Sequence, residues 1–268
     1  MSRDLWMMRR ARTMRHTTFQ GVPVPEFSPV VTDYWAATFS GKPLHSNEYV
    51  TITVNPELAD HERAAILSTA EDDRIAIVIT PAIADSLTKD IAALSNPTVA
   101  EIRVALAAQG AALNDADNVF YLTESAAADI LGDTESTNVR RLTDSDTEMF
   151  ASFKATVSEE DWDGAYVELN HWAVFGAFDE QEHLVSIGSM YPWDDEVPLA
   201  DLGVLTTSAA RGRGHAKTLV RAMFRYALTE GYEPQYRCQL DNDASNKLAA
   251  SLGLELFGRW EIVLPDGE

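Results

Sequence analysis

The sequence predicts an α/β (α+β) protein in two parts, an N-terminal α/β domain over residues 1–137 and a second unit over residues 138–268. Three observations predict it. Short β-branched runs alternate with helical patterns along the chain. The segment Ala126 to Asn138 (AAADILGDTESTN) turns small, polar and acidic, as a boundary does. Beyond it, a charged turn from Asp179 to His183 joins two strand-like runs, an antiparallel hairpin signal.

In the first half, Val50 to Val54, Arg74 to Thr80 and Asn118 to Thr123 read as strands. Helices are expected from about Pro56 to Ala70 and from Thr98 to Gln109, the second with apolar residues at three-to-four spacing and Gly110 as its stop. This half carries no chemical motif. In the second half, Val139 to Leu142 reads as a strand, and Thr143 with Asp146 resembles a capping box for a helix through Met149, Phe150 and Phe153. His171 to Phe178, Leu184 to Met190 and Asp201 to Thr206 follow as strands. Arg211 opens an amphipathic helix ended by Gly231. Tyr236 to Leu240 is a strand, a short helix runs to Leu252 and stops at Gly253, and Glu261 to Leu264 closes the chain as a strand. No internal repeat appears.

Composition narrows the function classes. Hydrophobic residues make up 46% and charged residues 24%, which suits a folded globular chain. The net charge of -21 repels phosphate backbones and anionic membranes, so nucleic acid is not an expected partner. No run approaches the roughly 20 apolar residues of a membrane span. The single cysteine, Cys238, forbids an intrachain disulfide and reads as a small buried residue, and a cytoplasmic location is the default expectation. Arg3, Arg9, Arg10, Arg12 and Arg15 superficially suggest a targeting segment, but no apolar region follows, and a disordered arm or an over-long start is expected.

One island breaks the acidic pattern. Between Gly203 and Thr229 there is no acidic residue, while Arg211, Arg213, Lys217, Arg221 and Arg225 are present. It lies where a strand turns into a helix through Arg211-Gly212-Arg213-Gly214-His215-Ala216, so free amides and the positive helix end converge on one spot suited to an anion. Charge-assisted hydrogen bonds of about 1.5 to 3 kcal/mol each could hold a pyrophosphate there with micromolar affinity. Taken alone the loop pattern arises by chance. A dinucleotide fingerprint would need glycine at Lys217, and a Walker loop would need glycines at Arg211 and Ala216, so neither fits.

The next strand and helix add specificity, because Asp241-Asn242-Asp243-Ala244-Ser245 leads into Leu248-Ala249 and Leu252-Gly253-Leu254. Together with the strand Leu202 to Thr206 and the loop RGRGHA, this run resembles the two signature motifs of the GNAT N-acetyltransferase superfamily, in that family's order and spacing, from about Asn138 to Glu268. The resemblance implies a mixed, mostly antiparallel sheet flanked by helices, and acetyl-CoA as cosubstrate without a metal. It implies that Arg211, Gly212, Arg213, Gly214, His215, Ala216 and Lys217 hold the pyrophosphate. Val204, Leu205 and Thr206 would pair with pantetheine, and Asn242 matches the family's helix-start asparagine. The acceptor would be an amine of a small molecule or peptide; a homodimer is one option among the family's assemblies.

The departures fall on catalysis. The family's tyrosine acid corresponds to Ala249, leaving Ser245, one turn earlier, or a water as donor. The usual strand carboxylate falls at Ala200, with Asp201 beside it; a bulge could turn Asp201 inward as a base, and the alternative is an edge carboxylate in solvent. Glu159, Glu160, Asp161, Asp163, Glu168, Asp194, Asp195 and Glu196 could attract an ammonium group, and Trp162, Tyr191 and Trp193 could form a cage or simply pack. His61-Glu62 lacks a zincin's second histidine, since Ala65 stands there. A non-catalytic acyl-CoA-binding or sensing module is the rival function, and a degenerate copy of the same fold or a lid is a further reading of the N-terminal half.

Overall fold

The computed structural model describes residues 25–59, 62–72, 74–92, 98–134, 136–193 and 196–263. The five N-terminal arginines, His61, Asp194, Asp195 and Leu264 lie outside these residues. Among the described residues the chain forms eight α-helices and one sheet of eleven strands.

The first half contains α1 (Pro29–Thr38), β1 (Lys42–Ser46), β2 (Val50–Val54), β3 (Ala64–Thr69), β4 (Ile75–Ile79), α2 (Pro81–Ala92), α3 (Val99–Ala108), β5 (Asp117–Tyr121) and α4 (Glu124–Gly132). The second contains β6 (Val139–Arg141), α5 (Thr147–Lys154), α6 (Glu159–Ala165), β7 (Ala173–Phe178), β8 (Leu184–Pro192), β9 (Leu199–Thr206), α7 (His215–Thr229), β10 (Glu233–Gln239), α8 (Asp243–Leu252) and β11 (Glu255–Ile262). The strand order is β1-β2-β4-β3-β11-β5-β10-β9-β8-β7-β6, with only β2/β4 and β9/β10 parallel.

Local chemistry accounts for most elements. Ser28 caps α1, and Pro29 supplies its first residue. Thr98 and Glu101 form a reciprocal capping box on α3. Asp146 accepts from the Thr143 N–H at 2.9 Å, starting a 3-10 turn that runs into α5. Gly253 ends α8 in the left-handed region.

Three expectations need correction. Residues 64–69 form β3, not the end of a helix from Pro56. This segment sits between β4 and β11, and its first four residues are all buried, so no periodicity marks its type. Ala126 to Gly132, expected as linker, belongs to α4: Thr123 caps it, its alanines favour helix, and Ile130 is buried against α7. The long helix begins at His215 rather than Arg211.

The expected boundary at 137/138 falls in the connection between α4 and β6, and the sheet runs unbroken across it. β5, from the first half, lies between β10 and β11, from the end of the chain. On one face of the second half, Leu219, Val220, Met223, Phe224 and Ala227 of α7 pack on Ala173, Phe175 and Leu202. On the other, α5 and α6 cover Val174, Ile187 and Leu205, while Val31 and Trp35 of α1 cover Val119, Tyr121 and Leu199. Because side chains alternate along a strand, Asp201, Gly203 and Leu205 share the α1/α6 face, and Leu202, Val204 and Thr206 the α7 face.

Candidate active site

The site is built where two parallel strands part. β9 and β10 are in register at Leu199/Glu233, Ala200/Pro234 and Asp201/Gln235, and the pairing ends there. Beyond it, β9 stays bonded to β8 as far as Ser186/Thr206, and β10 stays bonded to β5, so a wedge opens between them. The Thr207 N–H donates to the Val185 carbonyl at 3.0 Å. Backbone groups alternate between the two edges of a strand, so Gly203 and Leu205 point their amides toward β8, and Leu202, Val204 and Thr206 point theirs into the wedge. Of the three residues expected along pantetheine, Val204 and Thr206 thus present backbone groups to the opening, and Leu205 turns its backbone to β8 and its side chain into the core.

At the mouth of the wedge, Gly212 (φ 76°) and Gly214 (φ 87°) occupy the left-handed region, and a Cβ at either would meet nothing within 4 Å. These turns bring the chain into α7 with Gly214 as its cap. The first helical bond is Thr218 N–H to the Gly214 carbonyl, so the amides of His215, Ala216 and Lys217 have no helical acceptor. Arg211, Arg213 and Lys217 are exposed around this cradle. Arg211 is anchored, donating to the Thr206 carbonyl at 3.2 Å and to Asp161 at 3.0 Å. The basic island divides in two: Arg221 binds the Asp133 carboxylate at 2.5 Å and Arg225 the Asp133 carbonyl at 2.8 Å, clamping the end of α4. An anion with several acceptor oxygens fits the remaining cradle.

Asn242 caps α8, accepting from the Ser245 N–H at 3.0 Å. The Ser245 side chain reaches Tyr236, the first residue of β10 beyond the last pair with β9. Burial pushes the Tyr236 phenol up to about 12, with the Ser245 hydrogen bond opposing, so it keeps its proton at neutral pH. Ala249 is fully buried in the α7/α8 core. Cys238 is also buried, and its thiol is pushed up to about 11 chiefly by desolvation.

Asp201 is no edge carboxylate: it is 2% exposed at the apex of the wedge. Its Oδ2 accepts from Arg237 Nη2 (2.6 Å) and Nε (3.1 Å) and from the Tyr191 hydroxyl (3.0 Å). Arg237 also reaches Asp117 at 3.3 Å and lies 4.6 Å from the Trp193 ring centroid. Burial works against the charge on Arg237, but Asp201 outweighs it and holds the guanidinium above its usual range. For Tyr191 burial and the Asp201 charge act together and push the phenol up. Asp201 Oδ1 and Gln235 Nε2, buried side by side across the last strand pair, have no partner among the described residues.

Beside this apex is a ring cluster not anticipated from the sequence. Tyr166, His171 and Tyr191 stand 5.0 to 5.3 Å apart, centroid to centroid. Tyr166 is left-handed (φ 47°) at the end of α6, and the preceding carbonyl, of Ala165, presses on Gly203, where a Cβ would come within 1.7 Å of it. His171 Nδ1 is 2.8 Å from Ser189 Oγ, and burial holds the imidazole pKa below its usual value against the opposing charge of Glu168. No sequence spacing joins these residues; the packing of the end of α6 and the entry to β7 against β8 and β9 does. Trp162, a cage candidate, instead packs on Phe150 and under Lys154.

Among the described residues, no helix is long and apolar enough to cross a membrane, and no group of three or more His, Cys, Asp or Glu is placed to hold a metal. No curated protein matches the chain. Among solved structures, a GNAT-family acetyltransferase from Colwellia psychrerythraea is 19% identical, covering 62% of this chain and 63% of its own, with a TM-score of 0.45. A GNAT-family acetyltransferase from Novosphingobium aromaticivorans DSM 12444 is 18% identical, covering 56% and 63%, with a TM-score of 0.41. The aminoglycoside N-acetyltransferase AAC(6')-Iy in complex with CoA is 20% identical, covering 48% and 98%, with a TM-score of 0.38. The chain thus spans about 63% of the length of the first two. The "Acetyltransferase (GNAT) domain" family profile matches residues 109–255, more than half of the 268 residues, and the chain therefore belongs to the GNAT acetyltransferase family.

Proposed function

We propose that this protein transfers an acetyl group from acetyl-CoA to an amine of a small molecule or peptide by direct attack of the amine on the thioester. The observation that carries this reading is the wedge between β9 and β10, with an amide-lined, basic loop at its mouth. In this reading Gly212 to Lys217 hold the pyrophosphate with backbone amides, Arg211, Arg213 and Lys217 add positive charge, and Asn242 keeps the start of α8 in place behind it. Val204 and Thr206 offer backbone groups to the pantetheine amides, and an adjacent amide stabilises the oxyanion. Acetyl-CoA supplies the activated acyl carbon; the protein supplies orientation and proton transfer.

Two residues expected to move protons take particular places. Ser245 lies beside Tyr236, a buried phenol that keeps its proton at neutral pH, and in this reading the pair supplies the proton that caps the departing thiolate. Asp201 fixes Arg237 and Tyr191 at the acceptor side of the apex, where its buried negative charge favours an ammonium group by field rather than by contact. An alkylamine with pKa about 10.4 must lose a proton before attack. His171, which burial favours in its neutral form, is placed beside Tyr191 to receive it through water.

The test is thiol release from acetyl-CoA against a panel of small amines, aminoglycosides and peptides. Release with at least one amine supports transfer. Acetyl-CoA binding without release across the panel favours the non-catalytic sensing reading, to which the buried Ala249 in place of a tyrosine lends support.

A further inference from the structure

A second cavity lies on the Asp201 face, between the two halves of the chain. It has a volume of about 420 Å³ and is walled by Tyr34 of α1, Trp193 after β8 and Trp260 of β11, with Glu57 and Glu62 from the connection between β2 and β3. The volume suits a small organic molecule. None of the described residues lining it is basic. The indoles are fixed: Trp193 donates to the Tyr34 hydroxyl at 2.5 Å, and Trp193 and Trp260 stand edge to face at 5.6 Å. Trp260 is 7% exposed, and its Nε1 has no hydrogen-bond partner among the described residues.

Behind the indoles is Arg237, 4.6 Å from the Trp193 centroid and 5.5 Å from that of Trp260. Its charge does not make the cavity positive, because it is bound by both Asp201 and Asp117, and the trio carries one net negative charge. Two carboxylates without an ion-pair partner among the described residues, aromatic faces and a negative background favour a cation with an apolar body over an anion, and the Trp260 N–H suits an acceptor oxygen on the same molecule, such as a hydroxyl. The same indoles touch the guanidinium that pairs with Asp201, so the cavity lies one ring's thickness from the apex of the wedge.

We infer that this cavity binds an organic ammonium group, held between Trp193, Trp260 and the two glutamates. The binding of this cation does not rest on the transfer reading. Tryptophan fluorescence of the full chain, without acetyl-CoA, is titrated with choline and with its uncharged isostere 3,3-dimethylbutan-1-ol. A saturable response to choline is expected, at least ten-fold weaker for the alcohol and at least ten-fold weaker for choline in the Glu57→Gln/Glu62→Gln variant, whose surface positions leave the circular dichroism spectrum unchanged. No saturable response, equal responses to the two probes, or wild-type affinity in the double variant would overturn the inference. Acetyl-CoA titrated into the same samples reports on the transfer reading separately: its failure to bind removes transfer, and the choline series alone decides the cavity.

Discussion

Asp201 and Gln235 are the last facing pair of β9 and β10, and each leaves a buried polar atom without a partner among the described residues. The divergence places a charged, hydrogen-bonded layer at the floor of a wedge whose mouth is an amide-lined, basic loop. The Arg237 guanidinium spans that floor from Asp201 to Asp117 and so links β9, β10 and β5.

Asp201→Ala is expected to destabilise the fold by about 3 kcal/mol, because it strands most of a buried guanidinium charge that Asp117 satisfies only at longer range. Urea unfolding measures it. A change below about 1 kcal/mol would mean that Arg237 re-pairs or reaches solvent.

Tyr236→Phe is expected to lower kcat by about 100-fold, as loss of a general acid does, with the KM for acetyl-CoA unchanged. A parallel rise in KM, or an unchanged kcat, would assign Tyr236 to packing alone.

The folded-state pKa of His171 lies below the ordinary 6.5, chiefly through burial. Protonation then favours the unfolded chain, so its stabilising contribution is complete above pH 6.5 and declines as pH falls through the folded value. Transfer, which needs the neutral imidazole, is expected to decline over the same range. The acid limb of the kcat/KM profile should disappear in His171→Gln, at a lower plateau; an unaltered limb would exclude the imidazole as the proton acceptor.

Gly203→Ala is expected to cost about 1 to 3 kcal/mol through overpacking, because the added methyl collides with the Ala165 carbonyl and pushes α6 and Tyr166 off β9. A crystal structure of the variant with α6 unmoved would contradict this. Gly212→Ala, where a methyl meets open space, should show only the smaller strain of a positive φ.

Much of the second half was legible because its signals are local. The glycines of the loop, the Asn242 cap and the Gly253 stop each act within one turn of chain, and the hairpin around Asp179 to His183 needs only its own alternation. What escaped is non-local. Ala64 to Thr69 is a strand because β4 and β11 flank it, and the segment alone does not disclose its neighbours. The Asp201–Arg237 pair, 36 residues apart, and the Tyr166–His171–Tyr191 cluster depend on register between strands. For Asp201, nothing local distinguishes a solvent edge from a buried ion pair. The insertion of β5 between β10 and β11 is likewise a property of sheet order, invisible to any window along the chain.

The most direct test of the account is a calorimetric titration of acetyl-CoA into the full chain and into Gly214→Val. Gly214 sits at φ 87° with open space around it, so a β-branched residue strains the turn and covers the amides while leaving the core untouched. Saturable binding of about micromolar Kd to the wild-type chain, lost in a variant that still unfolds cooperatively, is the expected result. Absence of binding to folded wild-type protein, or undiminished binding to Gly214→Val, would contradict the placement of the cosubstrate at this loop.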